Sequence, residues 1–503
     1  MDRESQRGGG SWTLGRRARM VLCGIGLACW IVTLTLHSAT VTPFQRFDGL
    51  SGFVGVFAPD ALGISVVVAM VVALLALRGR SLAGRVLWGV SASLYVVTGV
   101  GFALLSLRGT DGLPGAFIGL FSVVGSLGSV GMGLVWGRVF KMFSARSSLA
   151  SVGIAGVAAA VLGTGIAFLP EVLCVTLFVL AVVAAVSVPL VCGMGAPQAN
   201  VDDLANGAAR SMGERLRSFA DVASPALIGL LAFAFVVGTM RSMVIETHPF
   251  HLMALAVDGA VLVALALVRL KRPFAGLAYR SLIPALAVLL LAVTNISMAL
   301  FGGSPLDMAM IYLLYTLAAL LTLATLSAVA HAGEFPSDFV YGIPFALFCL
   351  ASFVGLQCAV VMTAEVIKVS TTVITTVYAF AMVVVPSVRA QRLASTEPFL
   401  DEKPLLEPGT VNGGAPAGGG RAPGQPGSPS LEERCAALVR EHHLTAREAE
   451  ILGYVAAGYG SGYISEALYI SPNTVRTHIH NIYGKLGVNS REDVLDLVKA
   501  EAR

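Results

Sequence analysis

Residues Val54 to Leu77 read VGVFAPDALGISVVVAMVVALLAL, a run with a single charge, Asp60, near its start. About 20 mostly apolar residues suffice for a helix to cross the hydrocarbon of a bilayer, so this run reads as a membrane span. Arg78, Arg80 and Arg85 follow it, and then another apolar run begins. Extending the reading in both directions gives twelve candidate spans, at about 20–41, 54–77, 86–107, 113–137, 148–168, 172–193, 222–245, 251–268, 281–301, 308–330, 339–363 and 369–388. Glycines recur inside them, as at Gly125, Gly128, Gly131 and Gly133; in a membrane small residues let helices approach closely, so they do not argue against helix. Composition agrees. Of 503 residues 56% are hydrophobic and 13% charged, against about 25% charged in an ordinary soluble domain. The expected fold class is all-α: a polytopic transmembrane bundle over 20–388 in a lipid bilayer, preceded by a tail over 1–19.

Orientation follows from the basic residues. The tail has Arg3, Arg7, Arg16, Arg17 and Arg19, and the second, fourth, sixth and eighth loops are also basic: Arg78, Arg80 and Arg85; Arg138, Lys141 and Arg146; Arg210, Arg215 and Arg217; Arg269, Lys271, Arg272 and Arg280. The intervening loops hold only Arg46, Arg108 and Lys368. Cytoplasmic loops carry the excess of Lys and Arg, so the N-terminus is expected in the cytoplasm. Twelve spans return the chain to the same side, where Arg389 and Arg392 follow. The first run lacks a small-residue cleavage site and reads as a retained anchor. The tenth loop, His331 to Asp338, carries no lysine or arginine, and the longest internal loop, about 194–221, follows the sixth span. Six spans, a long loop and six more resemble the layout of major facilitator transporters. The resemblance is architectural, because LRGRSLAGRVL between spans two and three has arginines without the aspartate of that family's signature.

Ionisable residues within spans raise a functional hypothesis by default. Asp258 lies mid-run in HLMALAVDGAVLVAL, and Arg241 and Glu246 flank the outer end of span seven, near His248 and His251. Asp258 with Arg241 forms either a structural contact between helices or a site for a ligand, a cation or a proton. Asn295 reads as an interhelical hydrogen-bonding residue. Six of the seven cysteines sit in apolar stretches, Cys435 being the other, and no CxxC pair or Cys/His cluster occurs. Neither a metal nor a disulfide framework is expected, nor any cofactor. With no nucleophile constellation or phosphate loop, an enzyme is not expected.

After Arg392 the composition changes. Between Pro404 and Ser430, 14 of 27 residues are Gly or Pro, so 389–430 reads as a flexible tether with a reach on the order of 30–40 Å. From 431 to 503 four or five short helices can be placed. Ser430 with Glu433 and Thr445 with Glu448 have capping-box spacing, and Gly458 stops the Thr445 helix. A short helix follows Ser461, with Ile464 and Leu468 as its apolar pair. After the turn Tyr469-Ile470-Ser471, Ser471 is a natural N-cap and Pro472 suits the first helical position; this helix runs to Leu486 and stops at Gly487. At about 100° per residue, Val475, Ile479, Ile482 and Leu486 form one stripe, which must face a core. Asn473, Thr477, His480 and Gly484 lie opposite, with Arg476 at the edge. Two helices, a tight turn and a polar-faced second helix make the helix-turn-helix layout, whose second helix reads the major groove; Ser471 and Thr474 are placed to bond phosphates.

The segment LTAREAEILGYVAAGYGSGYISEALYISPNTVRTHIHNIYGKLGVNSREDVLDLV resembles the DNA-binding domain of LuxR-type regulators, through LTxRE, Gly458, ISxxTVxxH, KLGV and the SR before the last helix. The resemblance implies double-stranded DNA as a partner, base contacts from Arg476, Thr477 and His480, phosphate contacts near Thr474, His478 and Lys485, and a homodimer through Val494, Leu497 and Val498. It also implies a bacterial source and hence the inner membrane. Where many members have Asn-Lys-Glu-Ile-Ala, this chain has Ser461-Gly462-Tyr463-Ile464-Ser465. From Leu431 to Arg503 there are eight Lys/Arg and ten Asp/Glu, so this is no general polyanion binder; from Ser471 to Arg491 there are three basic residues, two histidines and no acid. The expected function is a membrane-bound transcriptional regulator whose membrane part senses an unidentified small-molecule or membrane signal. A transporter with an appended regulator, or a regulator released by proteolysis in the tether, are the alternatives.

Overall fold

The computed structural model describes residues 15–37, 50–110, 112–193, 212–239, 244–268, 282–301, 305–363, 366–367, 369–378, 380–381, 384 and 431–500. The described residues form helices and no strands. Twelve belong to the membrane domain: α1 (Arg16–His37), α2 (Leu50–Leu77), α3 (Gly84–Arg108), α4 (Gly115–Phe140), α5 (Ala145–Phe168), α6 (Glu171–Cys192), α7 (Met212–Thr239), α8 (Val244–Leu267), α9 (Ile283–Phe301), α10 (Pro305–Ala332), α11 (Ser337–Val361) and α12 (Val369–Tyr378). Ten of them are long and apolar enough to cross a membrane; α9 and the shorter apolar α12 stand where the ninth and twelfth spans were expected. Helix α7 begins ten residues before the expected seventh span, so Arg215 and Arg217 lie on a helix and not in a loop.

Packing repeats with a period of six helices. The pairs α1–α5, α2–α4 and α3–α4 recur as α7–α11, α8–α10 and α9–α10. The pairs α2–α11 and α5–α8 exchange under the same shift, as do α4–α11 and α5–α10, and they join the halves. The α5–α8 seam needs glycine: a Cβ on Gly259 would lie 2.6 Å from the Gly153 carbonyl oxygen, and one on Gly153 would lie 2.8 Å from the Gly259 oxygen. Between lipid-facing helices, where no hydrophobic drive is left, such close backbone approach supplies the packing energy. The outer surface is apolar, with Val67, Val90, Leu104, Val161 and Leu180 among the exposed side chains, as lipid contact requires.

Arg138, counted above as a loop cation, is instead buried at the end of α4, 2% exposed, and it bridges the halves. Its Nε donates to Asp338 Oδ1 at 2.7 Å, and its Nη2 to Asp338 Oδ2 at 2.6 Å and to the Leu82 carbonyl at 2.9 Å. This bidentate geometry is the strong form of an Arg–carboxylate pair. The Ser327 hydroxyl on the Phe140 carbonyl, at 2.9 Å, and the His331 ring on the Lys141 carbonyl, at 2.8 Å, brace the same end.

Between the halves lies a partly open cavity of about 250 Å³, lined among others by Phe57, Ser65, Ser126, His251, Tyr312, Tyr315, Thr316, Phe345 and Cys349.

Candidate nucleic-acid interface

Five helices form the C-terminal domain: α13 (Leu431–Glu441), α14 (Ala446–Ala456), α15 (Ser461–Leu468), α16 (Pro472–Leu486) and α17 (Arg491–Ala500). Their core gathers Leu438, Ile451, Leu452, Val455, Ile464, Ile470, Val475, Ile479, Ile482 and Leu486. The apolar stripe of α16 therefore supplies four of its members. Ser471 caps α16, accepting from the Thr474 N–H at 3.2 Å; Pro472 opens it; Gly487, at φ 70°, ends it in the left-handed region that glycine enters without strain. Tyr469 takes φ 55° at the end of α15 and turns the chain toward α16. Ser430 lies outside the described residues, and with it the capping box expected there.

The Thr445–Glu448 capping box is present in both directions: Glu448 N–H to Thr445 Oγ1 at 3.3 Å, and Thr445 N–H to Glu448 Oε2 at 2.8 Å. Glu448 is also 2.6 Å from Lys485 Nζ, which ties α14 to the C-terminal turn of α16. Lys485, expected at a phosphate, is thus engaged within the domain. Burial alone would raise the pKa of the Glu448 carboxyl, but the hydrogen bonds from Lys485 and Thr445 outweigh it and hold the carboxyl below its usual range. A carboxyl depressed on folding adds stability above its unfolded pKa, and that stability is lost as pH falls through the folded value. We therefore expect Glu448→Ala to weaken the domain by about 1–2 kcal/mol at pH 7, through loss of the bonds its carboxylate accepts from the Thr445 N–H and Lys485, while the Thr445 cap on the residue-448 N–H remains. Hydrogen exchange of α14 and α16 in the full chain measures this. The gap from the unaltered protein should narrow toward pH 4, and an equal gap at both pH values would remove the ionic part of the argument.

The structure separates the expected DNA-contacting residues into two groups. Asn473 and His480 are exposed and Arg476 and Thr477 half-buried, all on the face opposite the core. Arg476 Nη1 donates to Asn473 Oδ1 at 2.9 Å, and the Thr477 hydroxyl to the Asn473 carbonyl at 3.0 Å. Ser471, Thr474 and His478, on the adjoining stripe, are buried, His478 at 5% exposure; a phosphate contact from His478 requires the ring to be uncovered. Ser471 and Thr474 bond Glu334 of the α10–α11 loop, an acid that the sequence reading passed over.

The expected dimer residues need correcting. Val494 and Val498 are fully buried in the domain's own core, because α17 packs them against α13 and α14. Side chains used there cannot also form a dimer face, and only Leu497 of the three is partly accessible. In the membrane, Arg241 lies outside the described residues. Asp258 is buried on α8 and accepts from the Thr316 hydroxyl of α10. Thr316 lines the cavity, with Asp258 behind it.

Residues 442–498 match the family model for bacterial regulatory proteins of the luxR family. Over 58 residues the chain is 41% identical to the HTH-type transcriptional regulator MalT of Yersinia enterocolitica, and equally so to that of Cronobacter sakazakii. That match covers 12% of this chain and about 6% of the length of those relatives. Among solved structures, the human organic anion transporter MFSD10 is similar at TM-score 0.47 and 17% identity, covering 74% of this chain and 100% of that one. A bacterial homologue of the iron transporter ferroportin reaches 0.48 at 10% identity, covering 74% and 99%. The Escherichia coli fucose:proton symporter reaches 0.44 at 14% identity, covering 72% and 98%. The chain therefore carries a luxR-family helix-turn-helix domain at its C-terminal end, joined to a multi-pass helical membrane domain.

Proposed function

We propose that this protein is a membrane-held transcriptional regulator: the membrane domain senses a signal, and α16 reads promoter DNA from the cytoplasmic face of the inner membrane, both termini lying on that side. The observation that carries the reading is the outer face of α16. It offers Asn473, Arg476, Thr477 and His480 together, without an acid, on a domain that is otherwise slightly acidic. Base readout from a local patch fits such a charge distribution better than general attraction to phosphates. DNA half-sites are read by paired domains, and Leu497 on α17 is the residue of the original set still placed to contribute to pairing. No catalytic role is assigned.

The cavity between the halves is where the signal enters. Its walls are mostly aliphatic and aromatic, with hydroxyls on Ser65, Ser126, Ser129, Tyr312, Tyr315, Thr316 and Ser352 and the His251 ring. A minority of polar groups in an apolar pocket sets orientation while burial supplies affinity, which suits an uncharged, largely apolar small molecule. The cavity also favours the second reading, a transporter carrying a regulator. The two are separated by mapping DNA crosslinked to the intact protein in cells, alongside solute uptake into vesicles. A regulator enriches discrete promoter sites and accumulates nothing. Solute accumulation abolished by Asp258→Asn, with no discrete sites bound, would move the function to transport. Recovery of only a soluble C-terminal fragment on the bound sites would point to release by proteolysis.

A further inference from the structure

The N-terminus of α16 is occupied by an acid of the membrane domain. Glu334, in the loop between α10 and α11, accepts from the Ser471 N–H at 2.7 Å through Oε2, and from the hydroxyls of Ser471 and Thr474 at 2.9 and 2.6 Å through Oε1. Both carboxylate oxygens are thus held by one helix end. Around them, Tyr469 packs on the membrane-domain core and Ala332 against the core of the C-terminal domain. The basic loops place this end of the bundle in the cytoplasm, the side on which DNA would be met.

We propose that Glu334 is a built-in phosphate mimic that holds the DNA-binding domain in an autoinhibited, membrane-docked state. This rests on the reading of α16 as the DNA-reading helix. A helix N-terminus with free N–H groups and flanking hydroxyls favours an anion, and Ser471 and Thr474 are the residues placed for the DNA backbone. A carboxylate and a phosphate present the same acceptor chemistry and carry the same sign, so they exclude one another at one set of donors. The exposed base-reading side of α16 remains open in the docked state, but a duplex cannot seat there while its phosphate position is filled and the membrane domain abuts it.

The loop is also placed to be moved. Asp338, four residues beyond Glu334, makes the ion pair with Arg138 that joins the halves, and the two helices it connects, α10 and α11, supply Tyr312, Thr316, Phe345 and Cys349 to the cavity wall. A ligand that alters the packing of α10 against α11 acts on the segment that carries Glu334.

The test uses the full-length protein in lipid nanodiscs with a duplex recovered from the mapped sites. Hydrogen bonds to a charged group are strong enough that Glu334→Gln should raise apparent affinity for the duplex by about ten-fold or more, with Glu334→Asp intermediate. An Ala332→Cys, Tyr469→Cys pair, which leaves Glu334, Ser471 and Thr474 intact at the docked contact, should be joined by a bifunctional thiol reagent in membranes without DNA, and saturating duplex should suppress it. Equal affinity for the unaltered protein and Glu334→Gln, or a crosslink indifferent to duplex, would overturn autoinhibition while leaving DNA binding standing. Failure of both proteins to retain any duplex would instead remove the DNA-binding reading, and the proposal with it.

Discussion

Asp338→Ala is expected to destabilise the membrane domain by about 3–5 kcal/mol, the range for leaving one partner of a buried ion pair uncompensated. Arg138 is 2% exposed and Asp338 4%, and the guanidinium makes two bonds to the carboxylate. Without Asp338 the cation keeps only the Leu82 carbonyl at 2.9 Å among the bonds described above. A buried charge so poorly matched carries most of its desolvation penalty unrelieved. The pair itself need not add net stability, since apolar residues of similar volume often replace such pairs without loss. The double variant Arg138→Met, Asp338→Leu should therefore recover most of what the single variant loses. Thermal unfolding of the purified protein in nanodiscs measures both. If the double variant is no more stable than Asp338→Ala, the loss comes from packing at the start of α11 and not from the orphaned charge. The double variant also tests coupling: without the tie between the halves, the loop bearing Glu334 is freer, and DNA binding should rise with it.

The membrane architecture was legible because its signal is long-range and redundant. Each span is a run of apolar residues whose length the bilayer sets, and a helix stands at every position where a run was read. The six-plus-six division was visible only as a long loop; the pairing of α2 with α11 and of α5 with α8 depends on which helix faces meet, and on contacts such as Gly153 against Gly259 that no local pattern marks. The C-terminal domain was legible for a different reason: caps, left-handed stop residues and a stripe of four apolar positions are local and mutually consistent. Polar partnerships were the hidden part. Arg138 reads as a topogenic loop cation, yet its partner lies 200 residues away. Lys485 reads as a phosphate ligand, yet it closes on Glu448, 37 residues back. Glu334 carried one sign, an acid in the tenth loop, which lacks lysine and arginine. Val494 and Val498 were given to a dimer face because a family habit says where a helix pairs, whereas burial decides whether its side chains are available.

Arg476→Ala should erase sequence preference at one base pair while leaving the fold intact. A bidentate side-chain contact to a base discriminates by about 1–3 kcal/mol, so the ratio of affinities for the best site and its single-base variants should fall by roughly 5–150-fold at the position Arg476 reads. Its guanidinium now rests on Asn473 Oδ1 at 2.9 Å, outside the core, and the four stripe residues beneath α16 are untouched by the change. The rest of the site should keep its preferences, because well-separated contacts add nearly independently. The measurement belongs in a Glu334→Gln background, where docking no longer competes, with titrations of a set of single-base variants at two salt concentrations. Loss of a base contact lowers affinity for the best site alone; loss of a phosphate contact lowers all sites together and flattens the salt dependence. The second pattern would make Arg476 a backbone anchor and transfer sequence readout to Thr477 and His480. His480→Ala separates these further: if His480 reads a base, its variant should lower affinity for the best site and lose discrimination at one base pair alone, whereas an equal loss at every site would make it a backbone contact.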